Sequence, residues 1–214
     1  MKYKLLIFDF DGTLADTRAP IVMAKQETMR QMGLAVMDEE TCASTIGLTA
    51  RLGFQQLYPD LPEEKLEQCV ALYRDLFDEL AAKNPPVLFP GVLPTLKELS
   101  RKGHILTIAT SRHNASLNGF LEALDLKPLF HYVLGGEDTP LLKPNPDAVL
   151  KTLKDLDIPP EKALVIGDMP FDILMAKRAG VAACGVSYGN AAEEELYASG
   201  ADYVIRSFSS LLKL

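Results

Sequence analysis

The sequence predicts a doubly wound α/β fold, a Rossmann-like parallel sheet with a small all-helical domain inserted after its first strand. Two observations carry this prediction. Short apolar runs recur without alternation, the pattern of strands covered on both faces of a sheet, and helical segments with recognisable starts and stops lie between them. Residues 16–86 break that rhythm, because they hold helical patterning and no convincing strand.

The first run, Tyr3 to Phe8, is followed by Ile105 to Ala109, Tyr132 to Leu134, Ala163 to Ile166 and Ala182 to Val186, with a weaker sixth at Tyr203 to Ile205. Between them Val92 to Lys102 reads as a helix stopped by Gly103, and Phe171 to Ala179 as one stopped by Gly180. Asn145-Pro146 predicts an N-cap followed by proline at the first helical position. In a fold of this kind ligands bind beyond the carboxyl ends of the strands. In the inserted segment, Leu66, Cys69, Val70, Tyr73, Leu76, Phe77 and Leu80 follow three-four spacing and give one apolar stripe to bury, after which Pro85-Pro86 ends the helix. The predicted division is a core of residues 1–15 and 87–214 and a helical cap of residues 16–86, joined by crossings at 15–18 and 84–87.

With 214 residues and 48% hydrophobic content the chain suits a packed domain with a modest insertion. A formal charge of −7 argues against nucleic acid and against anionic membranes as partners, since both call for a basic face. The run Leu5 to Phe8 is too short for a signal-peptide core, and no stretch suits a bilayer span. Cys42, Cys69 and Cys184 are odd in number and far apart, so they suit buried apolar positions in a reducing cytoplasm rather than disulfides or zinc.

The chemistry sits at the predicted strand ends. Asp9 and Asp11 stand two apart at the end of the first strand, and Gly12 lets the chain turn away. Carboxylates held that closely repel unless a hard cation such as Mg²⁺ lies between them. Thr110-Ser111 end the second strand ahead of a helix, where hydroxyls and backbone N–H groups suit phosphate oxygens. Lys143 lies in the stiff loop Lys143-Pro144-Asn145-Pro146-Asp147, and Gly167-Asp168 with Asp172 brings two further carboxylates. Singly each has an ordinary use, as a turn, a helix cap or a solvated charge. The ends of these strands converge in a doubly wound sheet, however, and that places four carboxylates, a lysine and two hydroxyls in one crevice.

These pieces, in this order, resemble the haloacid dehalogenase-like superfamily. The position of the insertion resembles its phosphoglycolate phosphatase and β-phosphoglucomutase branches. The resemblance implies a Mg²⁺-dependent phosphohydrolase of small phosphorylated metabolites, with Asp9 as nucleophile and Asp11 as general acid and base. It implies Thr110 and Lys143 as phosphate ligands and Asp168 as a metal ligand, with Asp172 a further ligand or a partner behind it. The cation would be held by Asp9, Asp168 and the Asp11 carbonyl.

Carbon–halogen cleavage would leave Asp11 without a leaving group to protonate. A phosphomutase remains an alternative, as does a module that binds a phosphorylated ligand without turning it over. Relatives that hydrolyse phosphonates use a cap lysine as a Schiff base; Lys25 is the candidate, although beside Gln26 and Glu27 it reads as an exposed helix charge. In the loop Gly47-Leu48-Thr49-Ala50-Arg51, Arg51 is a candidate substrate contact. Arg112 and His113 are further candidates at the crevice mouth. The sequence leaves the oligomeric state and the substrate open.

Overall fold

A computed structural model describes residues 2–83 and 85–214. Asn84, in the second expected crossing, lies outside the described residues. In chain order the elements are β1 (Leu5–Phe8), β2 (Ala15–Asp16), α1 (Arg18–Gln31), α2 (Glu39–Ala43), α3 (Ala50–Leu57), α4 (Glu63–Lys83), β3 (Val87–Leu88), α5 (Val92–Arg101) and β4 (Ile105–Ala109). There follow α6 (Asn114–Ala123), β5 (Tyr132–Leu134), α7 (Asp147–Asp155), β6 (Ala163–Gly167), α8 (Pro170–Arg178), β7 (Ala182–Val186), α9 (Glu193–Ala198) and β8 (Tyr203–Ile205).

Six strands form one parallel sheet in the order β5-β4-β1-β6-β7-β8. The chain builds outward from β1 to β4 and β5, then returns to lay β6 on the other side of β1. That reversal makes the carboxyl end of β1 the switch point where a crevice opens. Along β1 the side chains alternate between two cores, as the period of a strand requires. Leu6 and Phe8 pack with Leu96, Leu106, Ile108, Ile166 and Phe208 on one face, whereas Leu5 and Ile7 pack with Val149, Val165 and Ile173 on the other. Both faces are therefore dry, which is why the run is apolar at every residue.

The helices α1 to α4 share a third core of Ile21, Met29, Cys42, Phe54, Leu66, Cys69 and Phe77. On α4 the expected stripe is the packed side: Leu66, Cys69, Val70 and Phe77 are buried, and Tyr73, Leu76 and Leu80 are half-buried against that core. All three cysteines are free and buried, as expected. The two crossings are not plain linkers. Ala15 and Asp16 pair antiparallel with Leu88 and Val87, a two-stranded ribbon too short to leave an alternating pattern in the sequence.

One helix start differs from expectation and another is fixed more closely. Helix α7 begins at Asp147 with Pro146 in the cap position, and Asn145 instead donates its side-chain amide to the Leu142 carbonyl at 3.0 Å. Helix α6 begins at Asn114, so Thr110 and Ser111 stand ahead of it with His113 as the capping residue. None of the helices among the described residues is long and apolar enough to cross a membrane.

Leu96 on α5 is fully buried against the sheet, so Leu96→Ala leaves a cavity that the rigid strands cannot fill. Its expected cost is about 2–5 kcal/mol, against roughly 0.5 kcal/mol or less for a surface substitution such as Lys4→Ala, read by urea denaturation.

Candidate active site

The strand ends deliver their side chains to one place. Asp9 follows β1 directly, its N–H donating to the Ile166 carbonyl at 2.9 Å, so the paired ends of β1 and β6 fix its backbone. Asp168 follows β6, and Asp172 lies in the first turn of α8. One carboxylate oxygen from each of Asp9, Asp168 and Asp172 falls within 4.8 Å of the others, and all three residues are buried. Lys143 is buried among them, its Nζ 2.8 Å from Asp9 Oδ1 and 2.6 Å from Asp172 Oδ1.

The partners of these oxygens are unequal. Asp168 accepts from Thr13 Oγ1 at 3.2 Å, from the Asn190 N–H at 2.9 Å and from Asn190 Nδ2 at 2.7 Å. Asp172 accepts from Lys143 and, at 3.1 Å, from the Met169 N–H, which ties it to the first turn of α8. Asp9 differs. Lys143 stands beside its Oδ1 as an ion pair, and among the described residues no hydroxyl, amide or backbone N–H donates to either oxygen. Burial pushes the Asp9 carboxyl up to about 7 against the pull of Lys143, with repulsion from Asp172 and Asp11 adding to the rise. Burial likewise raises Asp168 well above the ordinary carboxylate range, again with Asp172 and Asp9 repelling its charge. Lys143 is held protonated: burial opposes its charge, and Asp172 and Asp9 outweigh burial.

Three carboxylates against one ammonium leave an excess of buried negative charge. The donors are all hard oxygens, and the bare Asp9 oxygens face the cluster. This set fits a small divalent cation with oxygen preference. Glycine makes the closeness possible. A Cβ on Gly12, where φ is +75°, would lie 2.1 Å from Asp168 Oδ2, and one on Gly167 would lie 2.3 Å from the Asp172 side chain.

Asp11 is not in that cluster. Its carboxylate is taken by Arg112 and by Thr17 Oγ1 at 2.6 Å, so the expected cation ligand on this residue, its carbonyl, is separate from the group that would move protons. Arg112 Nε lies 3.2 and 3.0 Å from the two Asp11 oxygens, and Nη2 adds a further bond. The guanidinium also donates to Ser116 Oγ at 2.9 Å and lies 4.7 Å from the Phe77 ring and 4.8 Å from the Phe120 ring. An arginine of the core thus binds Asp11 while stacking on α4. The sequence placed Arg112 at the crevice mouth; its pairing with Asp11 joins residues 101 apart and left no local signal. Thr17 and Asn190, missed by sequence reasoning, are polar residues whose spacing carries no motif, and Thr13, which closes the run begun by Asp9, was given no role there.

Thr110 and Ser111 are buried beside Asp11 and Lys25 on the wall of a cavity of about 260 Å³, and Ser111 Oγ has no partner among the described residues. His113 is exposed and faces Glu137 at 2.7 Å. The loop from Gly47 to Ala50 lines the same cavity, but Arg51 points elsewhere: its guanidinium pairs with Glu63 and Glu67 of α4. Lys25 departs from expectation in the other direction. It is buried rather than exposed, donating to the Cys42 carbonyl at 3.0 Å and Thr45 Oγ1 at 2.5 Å, and burial lowers its pKa to about 8.

With this geometry in place, the comparisons with known proteins are decisive. The sequence pattern of the haloacid dehalogenase-like hydrolase family matches residues 6–186. The chain belongs to that family. It is 33% identical over 210 residues to a protein of Dickeya dadantii named "Probable phosphatase IndB", covering 97% of this chain and 91% of that one. It is 33% identical to a phosphoglycolate phosphatase of Vibrio vulnificus, covering 98% and 94% of the two. A hydrolase from Pseudomonas syringae of known crystal structure superposes with a TM-score of 0.89 at 26% identity, over 98% of this chain and 96% of that chain. The protein is thus a hydrolase of this family whose named relatives are phosphatases.

Two substitutions test the geometry. Gly12→Ala forces a Cβ into Asp168 at a left-handed φ, so an expected loss of roughly 1–3 kcal/mol appears in thermal or urea unfolding. Arg51→Ala removes only an exposed ion-pair network, so kcat/KM for the best substrate stays within roughly twofold of wild type and stability within about 1 kcal/mol. A large fall in kcat/KM would return Arg51 to the site.

Proposed function

We propose that the chain is a Mg²⁺-dependent phosphatase that hydrolyses a small phosphorylated metabolite of the phosphoglycolate kind through a phosphoaspartyl intermediate. The observation that carries this reading is Asp9, a buried carboxylate whose one close partner among the described residues is the ammonium of Lys143 at 2.8 Å, at the switch point of the sheet. The phosphatase names of the relatives support it.

On this reading Asp9 attacks phosphorus in line, splitting one difficult displacement into two easier ones. Lys143 offsets charge on Asp9 and takes a phosphoryl oxygen, and Thr110 and the unpartnered Ser111 hydroxyl donate to the others. Asp9, Asp168 and the Asp11 carbonyl would hold Mg²⁺, with Asp172 behind them fixing Lys143; when bound, the cation neutralises the anionic oxygens. Asp11 protonates the leaving oxygen and then takes a proton from the attacking water. Arg112 and Thr17 hold its carboxylate, so both proton transfers require Asp11 to turn out of that pair. A sugar hydroxyl in place of water would make the protein a phosphomutase; free phosphate rather than an isomeric ester is the expected product.

In this proposal residues 16–86 form a cap over a core of residues 1–15 and 87–214. The cavity between them, about 260 Å³, has room for a small diffusible ester rather than a polymer. A net charge of −7 and three free, buried cysteines suit a small-molecule substrate and a reducing cytoplasm.

Phosphate release from a panel of phosphorylated metabolites, with and without Mg²⁺, tests the reading. Asp9→Asn is expected to lower kcat by roughly 10³-fold or more, because the nucleophile is lost. Wild-type activity in that variant, or activity indifferent to chelation, would overturn it.

A second test follows from the Asp9 carboxyl, whose value rises from 3.8 to about 7 on folding. Between those values the folded state holds a proton that the unfolded chain has released, so the associated stability is present at low pH and is lost as pH rises through 7. Metal-free protein should therefore melt lower at pH 8 than at pH 5, and Mg²⁺ should raise the melting temperature more at pH 8. Equal increments at both pH values would count against Asp9 as a ligand.

A further inference from the structure

Lys25 is a buried cation that the chemistry above does not use. It is 3% exposed, and among the described residues it forms no ion pair with a carboxylate. Its two acceptors, the Cys42 carbonyl and Thr45 Oγ1, are neutral, and an ammonium has three donors. Burying a charge without a counter-charge is costly, and the lowering of its pKa by burial reflects that cost. A tether between α1 and the loop after α2 would need only a neutral donor.

Lys25 lines the same cavity as Asp11, Thr110, Ser111 and Arg112, on the wall contributed by the helical segment. Arg112 is already neutralised by Asp11. The other acidic groups lining the cavity, Asp78 of the helical segment and Glu137 of the core, are exposed, and Glu137 is occupied by His113. An anion entering the cavity would thus meet a desolvated cation with a donor to spare. A phosphoryl group bound at Thr110, Ser111 and Lys143 would leave the rest of its ester in this cavity.

We propose that Lys25 binds a second anionic group, a carboxylate or a further phosphate, on the leaving portion of the substrate and so sets substrate preference. The inference rests on the phosphoryl-transfer reading of the crevice. It also accounts for the burial of an ammonium between neutral acceptors, since the substrate supplies the missing charge.

The test compares three esters of similar length in wild type, Lys25→Met and Lys25→Gln: a phosphorylated hydroxy acid, a bisphosphorylated diol and a phosphate ester of a neutral alcohol. A charge-assisted hydrogen bond predicts that kcat/KM for the preferred anionic ester falls roughly tenfold or more beyond the fall for the neutral one, chiefly through KM. The anionic ester with the larger selective loss identifies the group. Parallel losses on all three esters would make Lys25 a structural tether, and no loss would remove it from the site; either overturns the proposal.

Calorimetric titration with unreactive phosphonates, one bearing a carboxylate, one a second phosphonate and one a neutral tail, reads binding without turnover. Wild type should bind at least one anionic compound roughly tenfold tighter than the neutral one, and Lys25→Met should erase that preference. No preference in wild type overturns the proposal even if the variants fail to fold. A Lys25-dependent preference in a protein that hydrolyses no ester would instead overturn the phosphatase reading and leave the anion site standing.

Discussion

Everything in the crevice follows from crowding Asp9, Asp168 and Asp172 around the single ammonium of Lys143 out of contact with water. Such an arrangement is not stabilising in itself. Desolvation and mutual repulsion press protons onto Asp9 and Asp168, and only the rigid scaffold keeps the groups together. The scaffold is the parallel pairing of β1 with β6, register-locked from Leu5 and Ala163 to Phe8 and Ile166, which aligns the two strand ends. The arrangement is useful because it is unsatisfied: a site poor in positive charge and rich in bare oxygen is one that a cation and a phosphoryl group complete together.

The helical segment contributes differently. It adds no carboxylate to the cluster and instead supplies the opposite wall of the cavity, with Lys25 and Thr45 facing inward and Phe77 against the Arg112 guanidinium. Arg112 therefore ties Asp11 to the state of the interface between α4 and the core. A charge pair that is also an aromatic stack depends on its surroundings being dry, so movement of α4 would alter the environment of Asp11 without touching its backbone.

Most of this fold was legible because its main signals are local. The unbroken apolar runs marked the strands of the large sheet, Gly103 and Gly180 marked helix ends, and Asp9, Lys143, Asp168 and Asp172 carried recognisable spacing. What escaped depends on distant partners. Lys25 looked exposed because its neighbours Gln26 and Glu27 are polar; the burial comes from Cys42 and Thr45 of a different element. Arg51 looked suited to a substrate because it shares a loop with the flexible Gly47, but glutamates on α4 compete for it. The helix starts at Asn114 and Asp147 escaped for a smaller reason, since Thr110 and Asn145 are good capping residues that are spent instead on bonds within their own loops.

The ribbon of β2 and β3 has a consequence for how such a protein can change over time. Ala15 stands beside Leu88 and Asp16 beside Val87, so the chain leaves the sheet domain and returns to it at neighbouring points. Whatever lies between those points imposes almost no strain on the sheet, because its ends meet whether it is long or short. The helical segment also has its own apolar core. Recognition and reaction are consequently separable parts of one gene product: the wall that meets the tail of a ligand can be lengthened, exchanged or redrawn while the carboxylates that do the chemistry stay where the strands put them.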